Sequence, residues 1–247
     1  MDLNFSSSRL ASPSDAANSS ITASHQPVTD SKGKPLKSFF FGQSSMARLI
    51  LAHQNGAVKA PAGTSREDLV KFASLGCGIQ TGAGAIFNVM KPAAQSSVAI
   101  FGAGAVGLAA AMMALLYSPR QLIIVDISEQ KLAALPERVK SASCLHIVDS
   151  SKLGDTGVVE KLMEITEGEG VEFVVDAVGQ PSVLKDGHRA MAKGGMLVTL
   201  GGIVKECGIV INEHLVKGGT WRGTHQGDSV PRVVSMICWR KARFWEE

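Results

Sequence analysis

The stretch "AIFGAGAVGL", residues 99–108, sets glycines at 102, 104 and 107 directly behind an apolar run. In a chain that holds 26 glycines, this spacing arises by chance about 0.3 times, so the flanking residues decide its reading. "SVAIFG" (97–102) has the β-branched, apolar character of a buried strand, and "AVGLAAAMMALL" (105–116) that of a helix. A glycine loop between strand and helix brings the unpaired N–H groups of a helix N-terminus to where a pyrophosphate binds. Gly102 then permits the tight turn, Gly104 lets backbone approach the phosphates, and Gly107 lets the helix pack on the strand; Val106 sits within the same loop. The bland alternative is a turn with incidental glycines.

Asp126 ends the next apolar run, "QLIIVD" (121–126), 19 residues after Gly107. A carboxylate there accepts hydrogen bonds from the adenosine ribose hydroxyls and repels a 2′-phosphate, which predicts NAD rather than NADP. Lys131, five residues on, either lies over the same ribose edge or is a solvated helix lysine. Gly201, in the "GG" that closes "GMLVTLGG" (195–202), completes the cofactor-binding set. Asp176, in "VVDAVG", reads as a loop-bracing residue rather than a cofactor ligand.

Outward from this loop, strand-like runs at 97–102, 121–126, 144–149, 171–178, 195–202 and 220–225 alternate with helical stretches. The helical stretches lie near 66–73, 77–91, 105–117, 128–138, 157–167 and 181–192. The alternation predicts an α/β fold, a doubly wound parallel sheet of the Rossmann type built from two mononucleotide-binding halves. Upstream, residues 1–37 read as a disordered or loop-rich segment, and 38–62 carry short β-like runs at 38–41, 47–52 and 57–60. Residues 63–225 form the predicted NAD-binding domain, and 226–247 begin a helix that stops short.

Composition narrows the partners. The 247 residues are 45% hydrophobic, enough for one substantial core, and the net charge of +3 is interspersed without a basic stripe. A nucleic-acid partner is therefore not expected. No basic cluster precedes an apolar run at the start, and no run of about 18 uncharged apolar residues occurs, so neither a signal peptide nor a membrane span is expected. The expected address is cytoplasmic. Cys77, Cys144, Cys207 and Cys238 are scattered, which speaks against a disulfide framework or a self-contained structural zinc site.

"LGCGIQTGAGAIFNV" (75–89), "VAIFGAGAVGLAAAMMA", "LIIVDISEQKL", "VEFVVDAVG", "GGMLVTLGG" and "TWRGTHQGDSVPRVV" together resemble the zinc-type alcohol dehydrogenases of the medium-chain dehydrogenase/reductase superfamily. "FFFGQSSMARLILAHQNGAVKAP" (39–61) is most similar to their aryl-alcohol branch, fungal secondary-metabolism members included. The resemblance spans roughly residues 38–234. It implies an NAD-dependent oxidoreductase acting on a small-molecule alcohol, aryl or secondary-metabolite in type, or on its aldehyde or ketone, and a homodimer paired through the sheet edge. It implies that Cys77 is a ligand of a catalytic zinc and that Thr81 lies against the nicotinamide. Read alone, Cys77 is a small packing residue in a glycine-flanked turn.

The resemblance also implies that 38–62 is a remnant of an N-terminal β-rich GroES-like catalytic domain and that the chain is truncated at both ends. No cysteine precedes Cys77, and no Gly-His-Glu motif is present to supply the family's other zinc ligands; His25 and His53 match none of them. A catalytic zinc ordinarily needs three protein ligands. Two alternative functions stand beside the dehydrogenase reading. One is a catalytically inactive relic that binds NAD or a partner subunit; the other is zinc-independent reduction, against which the cysteine of the GCG segment argues.

Overall fold

A computed structural model of the chain describes residues 31–34, 59–154, 156–202 and 206–228. The chain divides into two compact units, Met1–Gly56 and Ala57–Glu247, and the second carries the elements below. The β-like runs at 38–41 and 47–52, His25, His53, Cys238 and the C-terminal aromatics Trp239, Phe244 and Trp245 lie outside the described residues.

α1 (Arg66–Lys71) opens on a capping box. The Ser65 hydroxyl accepts from the Asp68 N–H while the Asp68 carboxylate accepts from the Ser65 N–H, which satisfies two helix-end donors reciprocally. A 3₁₀ turn (Ala73–Gly76) leads to α2 (Gly78–Gly84), which runs on as a π-type segment (Ala85–Met90). That segment ends where Lys91 turns left-handed ahead of Pro92, a residue that cannot extend a helix.

β1 (Ser97–Phe101), α3 (Ala105–Leu115) and β2 (Gln121–Asp126) follow. The helix expected over 128–138 is two short ones, α4 (Glu129–Ala133) and α5 (Glu137–Lys140). Pro136 between them has no N–H to continue the ladder and becomes the cap of the second. β3 (Leu145–Asp149), α6 (Gly157–Ile165), β4 (Val171–Asp176) and α7 (Pro181–Ala190) come next.

β5 (Met191–Thr199) begins four residues earlier than its sequence pattern indicates. It carries a bulge: Val171 and Phe173 of β4 face Met191 and Met196, so a step of two residues on one strand matches five on the other. α8 (Ile211–Lys217), which the apolar pattern did not reveal, precedes β6 (Thr220–Gly223).

The six strands form one parallel sheet in the order β3-β2-β1-β4-β5-β6. The chain winds outward from β1 to one edge, crosses back to β4 and winds to the other, as the doubly wound reading predicted. Side chains alternate along each strand. Val98, Ile100, Leu122, Ile124 and Val175 enter the core under α2 and α3, while Ala99, Phe101, Ile123, Val125 and Val174 enter the core under α6 and α7. Burial on both faces is why these strands read as unbroken apolar runs.

α2 lies against α3 at backbone distance. A Cβ on Gly82 would fall 1.9 Å from the Val106 carbonyl oxygen, a contact no side chain tolerates. Gly82→Ala is accordingly expected to cost about 1–3 kcal/mol by forcing the helices apart, read as a lower urea midpoint at unchanged slope. An unmoved midpoint would refute the close approach.

Candidate nucleotide-binding site

The loop after β1 sits at the point where the strand order reverses, at the carboxyl end of the sheet, which is where open α/β sheets bind ligands. Gly102 leaves the strand at φ +102°, a left-handed backbone open to glycine. Its N–H still donates to the Val125 carbonyl at 2.8 Å, so the loop remains sewn to β2.

Gly107 is fixed by packing: a Cβ there would lie 1.8 Å from the Gly102 carbonyl oxygen. Gly104 is the cap residue of α3, and a Cβ on it would meet nothing within 4 Å. The two glycines therefore do different work, one closing the helix onto the strand and the other leaving a space a side chain would fill. No side chain caps α3. Its first N–H groups have no partner within the helix and face that space with the positive end of the helix dipole.

Asp126 is 8% exposed and braces the loop. One carboxylate oxygen accepts from the Ala103 N–H at 2.7 Å, and the other accepts from the Ser128 N–H at 2.8 Å. Each oxygen keeps a further lone pair for a ligand hydroxyl. Lys131, on the first turns of α4, is exposed and places its ammonium 3.8 Å from the same carboxylate.

Asp176 plays the matching part at the end of β4. It is fully buried, and one oxygen accepts from the Val178 and Gly179 N–H groups at 3.0 and 2.9 Å. Burial pushes this carboxyl up from its ordinary value, against the two N–H groups that pull it down. Its own carbonyl accepts from the Gly201 N–H at 3.1 Å. Gly201 in turn lies so close to the next loop that a Cβ would come 2.2 Å from the Gly179 nitrogen. Gly201 is thus required by packing between the loops after β4 and β5.

Cys77 is exposed at the N-terminus of α2. Its carbonyl accepts from both the N–H (3.0 Å) and the hydroxyl (2.8 Å) of Thr81. A Cβ on Gly78 would touch Val106 Cγ2 at 3.7 Å, so the Cys77 turn rests on the first turn of α3. Cys77, Thr81, Val106 and Gly104 are thereby gathered beside one another. Among the described residues, no group of three or more His, Cys, Asp or Glu side chains converges to hold a metal. Cys77 alone does not make a zinc site there.

Sequence reasoning missed the walls of this site. Ile127, 73% exposed, follows Asp126, and Val178, 42% exposed, follows Asp176 by two. Because β1 lies between β2 and β4, these side chains flank the glycine loop on either side, and Val178 Cγ2 stands 3.0 Å from where a Cβ on Gly102 would be. Two exposed aliphatic groups across the glycine loop offer a flat ring an apolar seat. The signal was an apolar residue just past each strand-ending aspartate.

A second missed feature is the turn Gln226–Asp228, all three residues at positive φ. It is held to the π-type segment after α2 by the Asn88 side chain, which donates to the Gly227 carbonyl at 2.8 Å.

Residues 105–239 match the family model described as zinc-binding dehydrogenase. A probable alcohol dehydrogenase from a Pseudomonas species is 32% identical over 232 residues, covering 92% of this chain and 70% of that protein. Among solved structures, an alcohol dehydrogenase zinc-binding domain protein from Burkholderia ambifaria superposes with a TM-score of 0.76 at 36% identity. Benzyl alcohol dehydrogenase from Acinetobacter calcoaceticus superposes with a TM-score of 0.74 at 31% identity. Each superposition covers 87% of this chain, which spans 56% and 59% of those two proteins' lengths. With the glycine loop, the braced aspartate and the 3-2-1-4-5-6 sheet all in place, the chain belongs to the zinc-binding dehydrogenase family.

Proposed function

We propose that this protein is an NAD-dependent alcohol dehydrogenase that interconverts an alcohol, aryl or secondary-metabolite in type, and its aldehyde or ketone. The observation that carries the reading is the uncapped start of α3 beneath Gly104, with open space above it and the Asp126 carboxylate beside it. Those residues fit the cofactor: the α3 N-terminus would hold the pyrophosphate, Asp126 and Lys131 the adenosine ribose, and Ile127 and Val178 the adenine. Bound NAD supplies an acceptor for the hydride that leaves the alcohol carbon, the hydroxyl proton passing to solvent as the carbonyl forms. Thr81 and Val106 would form the wall behind the nicotinamide, held there by the α2–α3 contact.

The family also implies zinc, with Cys77 as one ligand. The described residues do not fit that ion, for want of companion ligands around Cys77. That observation favours a second reading, a module that binds NAD or a partner subunit without turnover. Nucleotide binding is common to both readings, and turnover of an aryl alcohol separates them.

The outer edge of β6 is unpaired among the described residues, and its four residues are exposed. Beside it α8 exposes Ile211, Leu215 and Val216. An unpaired edge with apolar flanks favours strand addition by a second copy, and we read the protein as a homodimer through β6. Sedimentation should find two chains per particle; a monomer would refute it.

Gly104→Val should abolish NADH binding in a fluorescence titration while leaving thermal stability unchanged, since the new side chain enters the open space. Gly107→Ala should instead destabilise the fold by roughly 1–3 kcal/mol. Retained affinity in the Gly104 variant would sink the phosphate assignment.

Asp126→Ala should weaken NADH binding and narrow its preference over NADPH. It should also cost about 1–3 kcal/mol, because the Ala103 and Ser128 N–H groups lose their acceptor. Unchanged cofactor selectivity would count against the ribose role. Cys77→Ser should leave NADH affinity as it is, the thiol making no bond to the loop.

A further inference from the structure

α8 is fastened to the rest of the domain by polar contacts, not by an apolar face. None of its residues is buried. Four contacts from three side chains hold it to the end of α7 and the start of β5. His214 Nδ1 meets His188 Nε2 at 3.1 Å; the Lys217 ammonium donates to the carbonyls of Arg189 (3.0 Å) and Met191; and Glu213 faces Arg189 at 4.0 Å. The two imidazole rings are tilted, with centroids 5.3 Å apart. His188 is 1% exposed, yet it also lines a cavity of about 110 Å³ together with Lys185, Arg189 and Glu213, which gives water and protons a route to it.

We propose that the His188–His214 hydrogen bond is a pH-sensitive latch that ties α8, and through it edge strand β6, to the end of α7.

The bond needs one ring to donate and the other to accept. One added proton preserves it, because an imidazolium on either ring still donates to the other's lone pair. A second proton removes the acceptor and leaves two N–H groups head-on between two positive charges. Lys217 and Arg189 carry positive charge beside the pair, Lys185 adds more at the cavity, and Glu213 opposes them. Burial, then the neighbouring His214, pushes His188 below its ordinary value, so the ring is neutral at neutral pH. Burial likewise pulls the Lys217 ammonium down. A histidine whose folded-state value is depressed favours folding while neutral. The latch is therefore fully closed above the ordinary histidine value, about 6.5, and opens only where the pH falls far enough below it for both rings to carry a proton. Only Gly218 and Gly219 separate α8 from β6, so loosening the helix loosens the sheet edge.

The test is hydrogen exchange on the full chain at about pH 7.5 and pH 5, corrected for intrinsic exchange chemistry. Protection of residues 211–223 should fall at least about tenfold on acidification, while α3 is unchanged. His188→Gln keeps a donor toward His214 but cannot take a charge, and it should reduce that step to about twofold or less. No step in the wild type, or an equal step in the variant, overturns the proposal. Should the buried substitution unfold the chain, His214→Gln at the partly exposed ring decides by the same comparison.

Discussion

The backbone contact between Gly107 and Gly102 is the constraint on which the rest of the domain rests. With 1.8 Å between a would-be Cβ and the Gly102 oxygen, the start of α3 can sit on the end of β1 only if residue 107 has no side chain. That closeness aims the first N–H groups of α3 into the space over Gly104. It also sets the height of α3 above the sheet, against which α2 packs through Gly82. Cys77 and Thr81 ride on α2, so their distance from the loop follows from two glycine contacts in series. Packed interiors pass such constraints along because they have little room to relax.

Two buried aspartates do parallel work on either side of β1. Burying a carboxylate costs several kcal/mol unless hydrogen bonds replace its water, and backbone N–H donors to an ionised acceptor are among the stronger replacements. Asp126 gathers the Ala103 and Ser128 N–H groups, and Asp176 gathers those of Val178 and Gly179. Each carboxylate thus stiffens the loop that leaves its strand. The difference lies in location: Asp126 stands next to the uncapped helix and an exposed lysine, while Asp176 is sealed beneath the Gly179–Gly201 contact.

The domain is uneven in how its parts are held. The centre, β1, β2 and β4 with α3, is bound by apolar burial on both faces. The β6 edge is held by its ladder to β5, by the polar contacts of the neighbouring α8 and by the left-handed turn Gln226–Asp228 gripped by Asn88. Polar fastenings respond to pH and charge where apolar ones do not. The proposed nucleotide site lies over the apolar centre, and the proposed subunit contact at the polar-fastened edge.

The apolar runs, their alternation with helical stretches and the spacing of Gly102, Gly104, Gly107 and Asp126 were enough to read the doubly wound sheet and to place its glycine loop between β1 and α3. Those features are local: each depends on a residue's own period or backbone freedom. Asp176 was legible as a loop brace for the same reason, its partners lying two and three residues away. The bulge in β5, α8 and the His188–His214 pair were not legible, because each is decided by what packs against it from a distant part of the chain. The different parts of Gly104 and Gly107 followed from their places in the loop, and the structure gives the distances: a neighbouring carbonyl fills the space beside Gly107 and nothing fills that beside Gly104. The sequence by itself determined the order of strands and helices in the doubly wound sheet and the place of its glycine loop. Only the tertiary structure decided where the bulge of β5 falls, that α8 is fastened through the His188–His214 pair, and that Cys77 stands without companion ligands among the described residues, since each of these is a matter of which atoms the fold brings within a few ångströms of one another.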